Sequence, residues 1–433
     1  MIQPRIFKGA RDFLPEQMLH RERILEIMRT TFKKYGYAPV ETPAIEYLDV
    51  LTGKYGEDAD RLIYKLNYKT ATKDEAALHY DLTVPFSRMV AMNPDLPIPF
   101  KRYQTQPVWR ADRPQPHQGR FREFYQCDVD CVGSESMLIE AELIAITHEV
   151  LTALKIPNFL IKLNNRKILN GITQFIGLDT SRVGDVCLSI DKLDKAPWSE
   201  VETELTNKNI PIASIQKLHE LLTKGLTLTQ LKTELQGVEI AQQGITEIEE
   251  IFAYLKALGI TTNYTFDIAL ARGLDYYTGP IFETKLPQHP HIGSLNGGGR
   301  YNGLIASFGG KDLPAVGTSL GLDRIFTAMQ QLQLLDAVKT STKVLVGNFG
   351  AATLETSIKL TATLREHNIN TEFYPEHVKL KKQFSYCDKK NIPFLCIIGE
   401  DEQTKNVITL KDMQKGEQHQ LTLEALIIFL SQQ

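Results

Sequence analysis

The segment from Arg120 to Cys131 alternates between polar and apolar side chains, and this alternation limits how the chain folds more than any other feature. Side chains two residues apart on a β-strand lie on the same face, so the segment is predicted to be a strand with one face in the core. The polar face lacks Lys, Ser and Thr, which is unusual for a surface that only meets solvent. We interpret it as a binding surface, with a simply exposed face as the alternative. Its members are Arg120, Arg122, Phe124, Gln126, Asp128 and Asp130.

Other patterns place this strand among helices and further strands. Apolar residues at helical spacing predict a helix over residues 16–35. Residues 76–90 and 100–132 have strand character, the second stretch being interrupted by a loop that contains Pro and Gly. Residues 134–154 are predicted to form a helix. The segment around Pro43 is predicted to be an edge or interface segment, because Pro cannot donate a hydrogen bond within a central strand.

Changes in residue composition and in the pattern of predicted strands and helices divide the 433 residues into four segments. A stretch rich in Lys, Glu, Leu and Thr separates two regions of strand and glycine character, and it is interpreted as a helical insertion. A hydrophilic link then leads to a module in which strands alternate with helices, which predicts a small α/β domain with several parallel strands. The predicted fold class is α+β. The boundaries are 1–164 and 261–336 for the two parts of a core, 165–260 for the insertion and 343–433 for the last domain.

Composition and charge exclude several classes of protein. The net charge is −3, so the totals do not indicate a nucleic-acid-binding protein, although binding depends on the distribution of charge rather than its sum. No run of about 18 apolar residues is present, so no membrane span is expected, and the N-terminus lacks the apolar region of a secretory signal. Five scattered cysteines indicate reduced thiols and a cytoplasmic location. Only Cys127 and Cys131 lie close together, which is weak evidence for zinc, and no resident metal is expected.

Basic residues concentrate between Lys101 and Tyr125, around the loop that contains Pro and Gly. Six Lys or Arg residues accompany two acidic residues there. Arg offers planar, bidentate geometry to phosphate oxygens, so the cluster is interpreted as a clamp for a polyphosphate, with a solvated hairpin edge as the alternative. The six are Lys101, Arg102, Arg110, Arg113, Arg120 and Arg122.

Two short motifs outside this hairpin carry further polar chemistry. In LHYDLTVPF, Asp81 and Thr83 are predicted to share a strand face, where a carboxylate and a hydroxyl suit an ammonium group; an ordinary strand edge is the alternative. In ARGLDYYTG, Arg272 precedes a glycine and the pair Tyr276 and Tyr277. A glycine inside a strand weakens it unless a ligand or another backbone must approach closely.

Glycine-rich segments, GGGRYNGL and VGTSLGLDRIF, follow later in the chain. Gly317 and Gly321 remove side chains where a flat ligand could lie against the backbone. Arg324 is predicted in the first turn of a helix, where its charge adds to the positive helix end. Neither run is a P-loop, and neither is the G-x-G-x-x-G of a dinucleotide-binding fold. A nucleotide site would therefore have to be an arginine clamp built on strands.

Taken in order, these motifs resemble those of the class II aminoacyl-tRNA synthetases, and among them the histidyl-tRNA synthetases. YQTQPVWRADRPQPHQGRFREFYQCDVD is similar to motif 2, VGTSLGLDRI to motif 3, ARGLDYYTG to the histidyl signature peptide, and the segment around Pro43 to the motif 1 dimer element. The resemblance covers essentially the whole chain. It implies a catalytic core built on an antiparallel sheet and a C-terminal domain similar to anticodon-binding domains. Two departures are Asp112, where many class II enzymes have Glu, and Ser319, where a glycine is usual.

The resemblance also implies roles for individual residues. Arg110 would hold the α-phosphate of ATP, and Arg272 would stabilise the carboxylate and phosphate as they join, so these two are the expected catalytic residues. The expected ATP contacts are Arg110, Arg113, Arg120, Phe124 and Arg324. The expected histidine contacts are Asp81, Thr83, Gln126, Asp130, Arg272, Tyr276, Tyr277 and Tyr301.

The implied reaction attaches histidine to tRNA(His) in two steps. The histidine carboxylate attacks the α-phosphorus of ATP, which enters with Mg²⁺, and a ribose hydroxyl of the tRNA then takes the histidyl group from the adenylate. Positioning and charge stabilisation would carry the rate. A homodimer is expected from the family. The alternatives are a non-catalytic regulatory subunit, which usually lacks the signature peptide and the C-terminal module, and an uncharged-tRNA sensor, which should lack the phosphate-binding arginines.

Overall fold

The structure is a computed structural model that describes residues 2–54, 60–67, 74–194, 196–271, 276–337 and 339–432. The chain forms two compact units. The first comprises Met1–Asp12 and Arg23–Leu334, and the second comprises Phe13–Glu22 and Leu335–Gln433. Within the described residues, none of the helices combines the length and the apolar composition that crossing a lipid bilayer requires.

The described chain contains fifteen α-helices and fifteen β-strands. The helices are α1 Pro15–Lys34, α2 Leu48–Leu51, α3 Thr83–Met92, α4 Leu138–Ala153, α5 Arg166–Phe175, α6 Val183–Ile190, α7 Trp198–Asn207, α8 Ile212–Thr223, α9 Leu228–Glu234, α10 Glu239–Ala257, α11 Leu322–Gln331, α12 Ala351–Glu366, α13 Leu380–Lys390, α14 Glu400–Lys405 and α15 Leu423–Gln432. The strands are β1 Ala38–Pro39, β2 Ile45–Tyr47, β3 Ala76–Leu78, β4 Phe100–Trp109, β5 Glu123–Val132, β6 Leu160–Asn165, β7 Tyr264–Phe266, β8 Pro280–Lys285, β9 Asn296–Arg300, β10 Ala315–Gly321, β11 Val344–Val346, β12 Thr371–Phe373, β13 Phe394–Ile397, β14 Ile408–Asp412 and β15 Gln418–Leu421.

An eight-stranded sheet organises the first unit, in the order β1-β4-β5-β10-β9-β8-β6-β7. The five central pairings, from β4 to β6, are antiparallel, and the edge strands β1 and β7 pair in parallel with their neighbours. This arrangement confirms the predicted α+β class with an antiparallel catalytic core. The segment that contains Pro39 lies at the sheet edge, as expected for a residue that lacks a backbone donor.

Helix α1 confirms the helix predicted over residues 16–35. Ile24, Met28 and Phe32 recur every four residues and are almost completely buried. They form the apolar stripe that helical spacing predicts. The Phe32 ring lies 5.5 Å from the ring of Tyr103 on β4, so this stripe packs against the large sheet.

The prediction of a strand across residues 76–90 is wrong beyond Leu78, because the chain turns into helix α3 at Thr83. The Asp81 carboxylate accepts a hydrogen bond from the backbone N–H of Val84 at 3.1 Å, which satisfies a donor at the start of the helix. Pro85 is tolerated because it lies in the first turn, where its missing N–H costs nothing. Asp81 and Thr83 therefore do not share a strand face.

The texture of residues 165–260 corresponds to a run of helices, α5 to α10, between β6 and β7. Helix α10 packs against α5, α4, β6 and β8. Two glycines allow the approach of α5 and α10: a Cβ on Gly171 would lie 2.5 Å from the Cβ of Ala241, and a Cβ on Gly244 would lie 2.9 Å from the backbone nitrogen of Ile168. The helices thus join the unit that contains the sheet.

The second unit contains a five-stranded sheet in the order β12-β11-β13-β14-β15. Strand β11 pairs in parallel with β12 on one side and β13 on the other, whereas β14 pairs in antiparallel fashion with β13 and with β15. The predicted alternation of strands with helices, with several parallel strands, is present in this module. Strand β15 has no apolar strand pattern, because its residues are mostly polar and largely exposed. Leu364, Leu410, Leu426 and Leu430 are fully buried and tie α12 and α15 to the sheet.

Candidate active site

A cleft of about 250 Å³ opens over the centre of the eight-stranded sheet. Its floor begins with the side chains of Phe124, Gln126, Asp128 and Asp130, which project from one face of β5 into the cleft. The intervening residues Cys127, Val129 and Cys131 are fully buried in the core. The predicted alternation of a polar and an apolar face on this strand is confirmed for residues 124–130, and the polar face lines the cleft.

Glycines on the neighbouring strands make room for the cleft. Gly317 on β10 pairs with Asp130, and Gly299 on β9 pairs with Gly317. A Cβ on Gly317 would lie only 1.8 Å from Oδ1 of Asp130, and a Cβ on Gly299 would lie 2.8 Å from the Tyr277 ring. Any side chain at these positions would displace a residue of the site, so the glycine content of the motif is a steric requirement.

Asp130 is a carboxylate with a partner at each of its two oxygens. It is buried, with Oδ1 accepting a hydrogen bond from the Tyr301 hydroxyl at 2.6 Å and Oδ2 lying 2.9 Å from the Arg102 guanidinium. Burial raises the pKa of Asp130, while Arg102 and the Tyr301 hydrogen bond act in the opposite direction. Burial also raises the pKa of Tyr301 well above its ordinary value, so its hydroxyl is a permanent donor.

Asp128 lies two residues earlier on the same face. Its Oδ1 accepts from the Gln126 amide at 3.3 Å, and that amide also donates to Ser319 Oγ at 2.9 Å. Burial raises the pKa of Asp128 to about 7, with Arg102 opposing the rise and Asp130 adding to it. Ser319, the residue that stands where a glycine is usual, therefore helps to orient the polar floor.

Residues from the turn before α3 complete the acidic end. Asp81 is almost fully buried and lines the cleft together with Tyr80 and Thr83. Glu283, which projects from β8, lines the cleft from the other side. The inner part of the cleft thus gathers four carboxylates, which favours a ligand with positive charge or several N–H donors.

Arg110 lines the end of the cleft opposite the carboxylates. Its Nε donates to the backbone oxygen of Tyr80 at 3.0 Å, and a terminal nitrogen donates to the Gln126 side chain at 3.3 Å. The guanidinium carbon stands 4.2 Å from the centre of the Tyr80 ring and 5.2 Å from that of Phe124. These contacts hold a cation at the cleft edge, with further guanidinium donors available to an anion.

A second cleft of about 210 Å³ adjoins the first along Arg110, Phe124, Gly321 and Arg324. Arg324 lies in the first turn of α11, as predicted, and donates to the Ser294 backbone oxygen at 3.3 Å. A helix N-terminus and its cation together attract anionic groups. The second cleft therefore extends the cationic end of the site.

Ten of the thirteen residues predicted from the sequence to bind ATP or histidine line the main cleft, namely Asp81, Thr83, Arg110, Phe124, Gln126, Asp130, Tyr276, Tyr277, Tyr301 and Arg324. Arg120 lines the adjoining cleft, where its guanidinium pairs with Asp112 at 2.9 Å. Arg113 is exposed and lines neither cleft. Arg272 lies outside the described residues.

Three of the six basic residues assigned to a phosphate clamp have structural partners instead. Lys101 pairs with Glu142 at 2.6 Å, and Arg102 is buried against Asp130. Arg122 donates to the backbone oxygen of Asp112 at 3.0 Å. Strand β5 begins only at Glu123, so the assignment of Arg120 and Arg122 to its polar face is also wrong.

Strand pairing brings residues to the cleft that were not predicted from the sequence to bind a substrate. Asp128 was placed on the polar face without a role, and Glu283 was not identified at all. A single carboxylate within the apolar strand PIFETK was the available signal for Glu283. No sequence signal separated Arg102 from the other basic residues. It differs from them in being completely buried against Asp130, and this burial depends on the pairing of β4 with β5.

An antiparallel sheet that carries a carboxylate-lined cavity beside an arginine-lined one is the arrangement of a class II aminoacyl-tRNA synthetase. Comparison with known families identifies the group within this class. Residues 9–325 match the histidyl-tRNA synthetase model, and residues 343–433 match the anticodon binding domain model. The chain belongs to the histidyl-tRNA synthetase family.

Curated relatives and solved structures agree over nearly the full chain. The histidine–tRNA ligase of Cytophaga hutchinsonii is 43% identical, covering 99% of both chains, and that of Gloeobacter violaceus is 42% identical, covering 96% of both. The histidyl-tRNA synthetase structure from Nostoc sp. superposes with a TM-score of 0.88 at 32% identity, covering 100% of each chain. The apo Staphylococcus aureus histidyl-tRNA synthetase, at 23% identity and a TM-score of 0.72, shares the fold, covering 99% of this chain and 100% of its own.

Proposed function

We propose that this cleft forms histidyl-adenylate from histidine and ATP and that the chain then transfers the histidyl group to tRNA(His). The chain is an aminoacyl-tRNA ligase of the histidine family, so the activity follows from family membership, and the proposal concerns the residues that perform it. Its strongest support is the separation of charge along the cleft. Carboxylates line the inner end, and Arg110 and Arg324 line the end that continues into the second cleft.

This separation matches the two substrates. Histidine carries an α-ammonium and an imidazole with one or two N–H donors, and both groups need acceptors. Asp81, Thr83 and Gln126 would bind the ammonium. Asp130 would accept an imidazole N–H. The remaining side chains proposed to enclose or read the ring are those of Tyr276, Tyr277 and Tyr301.

ATP would occupy the cationic end. Phe124 would stack on the adenine, and Arg324 would cover its other face or reach the γ-phosphate. Arg120 would reach the β- and γ-phosphates, and Arg113 would join it if the exposed loop that carries both closed over ATP. Mg²⁺ would enter with ATP as part of the substrate, because phosphate oxygens supply much of its preferred coordination.

Catalysis would depend on position and charge rather than on a covalent intermediate. Arg110 would hold the α-phosphate while the histidine carboxylate attacks in line and pyrophosphate leaves. Arg272, in the signature peptide, would stabilise the same developing charge. Such electrostatic groups act most strongly when they are held before the reaction begins, and the Arg110 contacts to Tyr80 and Gln126 supply that preorganisation.

The other family expectations are proposals of the same kind. The C-terminal domain, 343–433, would read the tRNA anticodon, and the segment around Pro43 would form a homodimer interface. Near it an apolar surface includes Ile45, Tyr47 and Met92, each more than half exposed, which supports that proposal. All five cysteines are buried, and together with a tRNA substrate this supports a cytoplasmic location.

The assay for the proposal is histidine-dependent exchange of pyrophosphate into ATP. Arg110→Ala should reduce kcat/KM for exchange by about 100-fold or more, because a group that stabilises the transition state is lost. Arg29→Ala is a matched control, because Arg29 donates to Thr105, whose side chain lies on the face of β4 turned away from the cleft. Near-normal exchange by the Arg110 variant would contradict its role.

The same assay separates the alternatives. A regulatory subunit or an uncharged-tRNA sensor would show no histidine-dependent exchange. A fold match to an ATP phosphoribosyltransferase regulatory subunit/histidyl-tRNA synthetase from Bacillus halodurans, at 20% identity and a TM-score of 0.74, does not favour that alternative, because at this identity it reflects the fold alone.

A further inference from the structure

Arg102 on β4 is the largest fully buried side chain of the described chain. Its guanidinium nitrogen NH2 lies 2.9 Å from Oδ2 of Asp130 and 4.0 Å from Oδ2 of Asp128. Because its side chain is 0% exposed, Arg102 cannot touch a substrate in the cleft. Any effect it has on the reaction must therefore act through these carboxylates.

The guanidinium is itself held in place. NH1 donates to the Gln104 side chain at 2.9 Å, and the Phe86 ring centre lies 4.2 Å from the guanidinium carbon. The Gln104 amide donates to Thr42 Oγ1 at 2.9 Å, and Gln106 donates to the Thr42 backbone oxygen at 3.0 Å. A buried chain of polar contacts thus runs from the segment after β1 to the floor of the cleft.

Burying an arginine requires a reason, because desolvating a charge is costly unless it is paired and hydrogen-bonded. An ordinary apolar core position would hold Leu or Met at this point. Asp81, Asp128 and Asp130 are all buried nearby, and Arg102 is the cation that the structure records against Asp128 and Asp130. Its charge therefore balances carboxylates that line the inner cleft.

We propose that Arg102 is a positioning residue for histidine recognition: it holds Asp130 charged and fixed, so that the carboxylate can accept a hydrogen bond from the imidazole. The inference rests on the proposed function, in which Asp130 reads the imidazole. One oxygen of Asp130 is fixed by Tyr301 and the other by Arg102. Oδ1 accepts the Tyr301 hydrogen bond and keeps a second lone pair for the ligand, whereas Oδ2 faces Arg102 in an ion pair without accepting a hydrogen bond.

The expected signature is a pH dependence. Among described residues, the titratable and charged groups around Asp130 are Arg102 on β4, Asp128 on β5, Asp81 before α3 and Tyr301 after β9. The charge of Asp130 also contributes to raising the pKa of Tyr37 and of Cys131. Burial raises the pKa of Asp130, and Arg102 is the largest influence that lowers it. Removing Arg102 would raise this pKa further, so Asp130 would be protonated over a wider range of pH.

The experiment measures KM for histidine and for ATP by pyrophosphate exchange between pH 6 and 9. Arg102→Met should raise KM for histidine by about tenfold or more near neutral pH, because a protonated Asp130 no longer offers the imidazole a charge-assisted hydrogen bond. The ratio of variant to wild-type KM should fall as pH rises, because Asp130 regains its charge; titration of histidine itself cancels in the ratio. KM for ATP should change less than about twofold, and Arg102→Lys should restore part of the loss.

One further variant keeps the outcome decisive. Asp130→Asn tests the proposed function: an unchanged KM for histidine in this variant would remove Asp130 from recognition. If Asp130→Asn raises that KM while Arg102→Met leaves it unchanged, or raises it by a factor that does not depend on pH, the inference about Arg102 is overturned. An equal rise in both KM values would overturn it as well.

A double variant covers the case in which Arg102→Met does not fold. Replacing both partners of a buried pair avoids an uncompensated charge, so Arg102→Met with Asp130→Asn should be the more stable protein. Its KM for histidine should equal that of Asp130→Asn alone, because Arg102 acts through Asp130. A further rise beyond the single Asn variant would show that Arg102 acts by another route and would refute the proposal.

Discussion

Replacing Gly317 with Ala would introduce one methyl group at the point where strand β10 passes the Asp130 carboxylate. The added Cβ would lie 1.8 Å from Oδ1 of Asp130 and 2.5 Å from its carboxyl carbon. Ordinary van der Waals contact begins near 3.4 Å, so one of the two groups must move by 1.6 Å, the difference between 3.4 and 1.8 Å. The strand backbone is held by β5 and β9 on either side, so the carboxylate is the group that yields.

A movement of that size separates Asp130 from its partners. Its hydrogen bond from Tyr301 is 2.6 Å long and its ion pair with Arg102 is 2.9 Å, and neither survives a displacement of this length. The position that would accept the imidazole N–H is lost at the same time. A hydrogen bond to a charged group contributes about 1.5 to 3 kcal/mol, so kcat/KM for histidine should fall by about 10- to 150-fold.

The assay is pyrophosphate exchange with each substrate varied in turn, together with a thermal unfolding curve. KM for histidine should rise while KM for ATP stays within about twofold, because the methyl group lies at the acidic end of the cleft. Gly321→Ala is the matched control. Gly321 lies on the same strand face four residues later, and a Cβ there would meet its nearest atoms at 3.6 and 3.7 Å, which is ordinary contact.

A Gly317→Ala variant that folds with unchanged histidine dependence would refute the reasoning. It would mean either that the strand moves instead of the carboxylate or that Asp130 does not read histidine. A comparable rise in KM for histidine in Gly317→Ala and Gly321→Ala would also contradict it. The effect would then come from any added methyl group on β10 rather than from the contact with Asp130.

Two further predictions concern stability. The pKa of Asp128 is about 7 in the folded chain against an ordinary value of 3.8, so between these values the folded state holds a proton that the unfolded state releases, and stability falls as pH rises. Asp128→Asn lacks this contribution, so the Tm of the variant minus the Tm of the wild type should be several degrees larger at pH 8 than at pH 5. An equal difference at both pH values would contradict the assignment. Glu140→Gln should lower the free energy of unfolding by about 3 to 5 kcal/mol in denaturant titrations, because it breaks a buried bidentate pair with Arg300 (2.7 and 2.9 Å). Glu149 supplies the control, because it lies on the same helix as Glu140, is half-buried and pairs with the exposed Lys34. Glu149→Gln should cost less than about 1 kcal/mol, and similar losses in both variants would refute the argument.

Local patterns in the sequence determined much of the architecture. Helix α1, the β4–β5 hairpin and the polar face of residues 124–130 all follow from side-chain periodicity, which depends only on neighbours along the chain. The same holds for Arg324 in the first turn of α11. Motif resemblance supplied the family and most of the cleft residues, because the motif order survives even where local structure is misjudged. Asp81 and Thr83 lie in the cleft although they precede and begin a helix rather than share a strand.

Tertiary structure alone decided which charged side chains line the clefts and which are buried in ion pairs. Arg102 and Arg110 have the same side chain eight residues apart, yet strand pairing buries Arg102 against Asp130 while Arg110 reaches the cleft edge. The same pairing places Gly317 against Asp130 from a segment 187 residues later in the chain (317 − 130). An arginine's role depends on its solvation and its partners, and both are set by strands that are distant in sequence. Periodicity within one segment carries no information about that pairing, so only the folded sheet could separate the arginines that line the clefts from the arginine that is buried against Asp130.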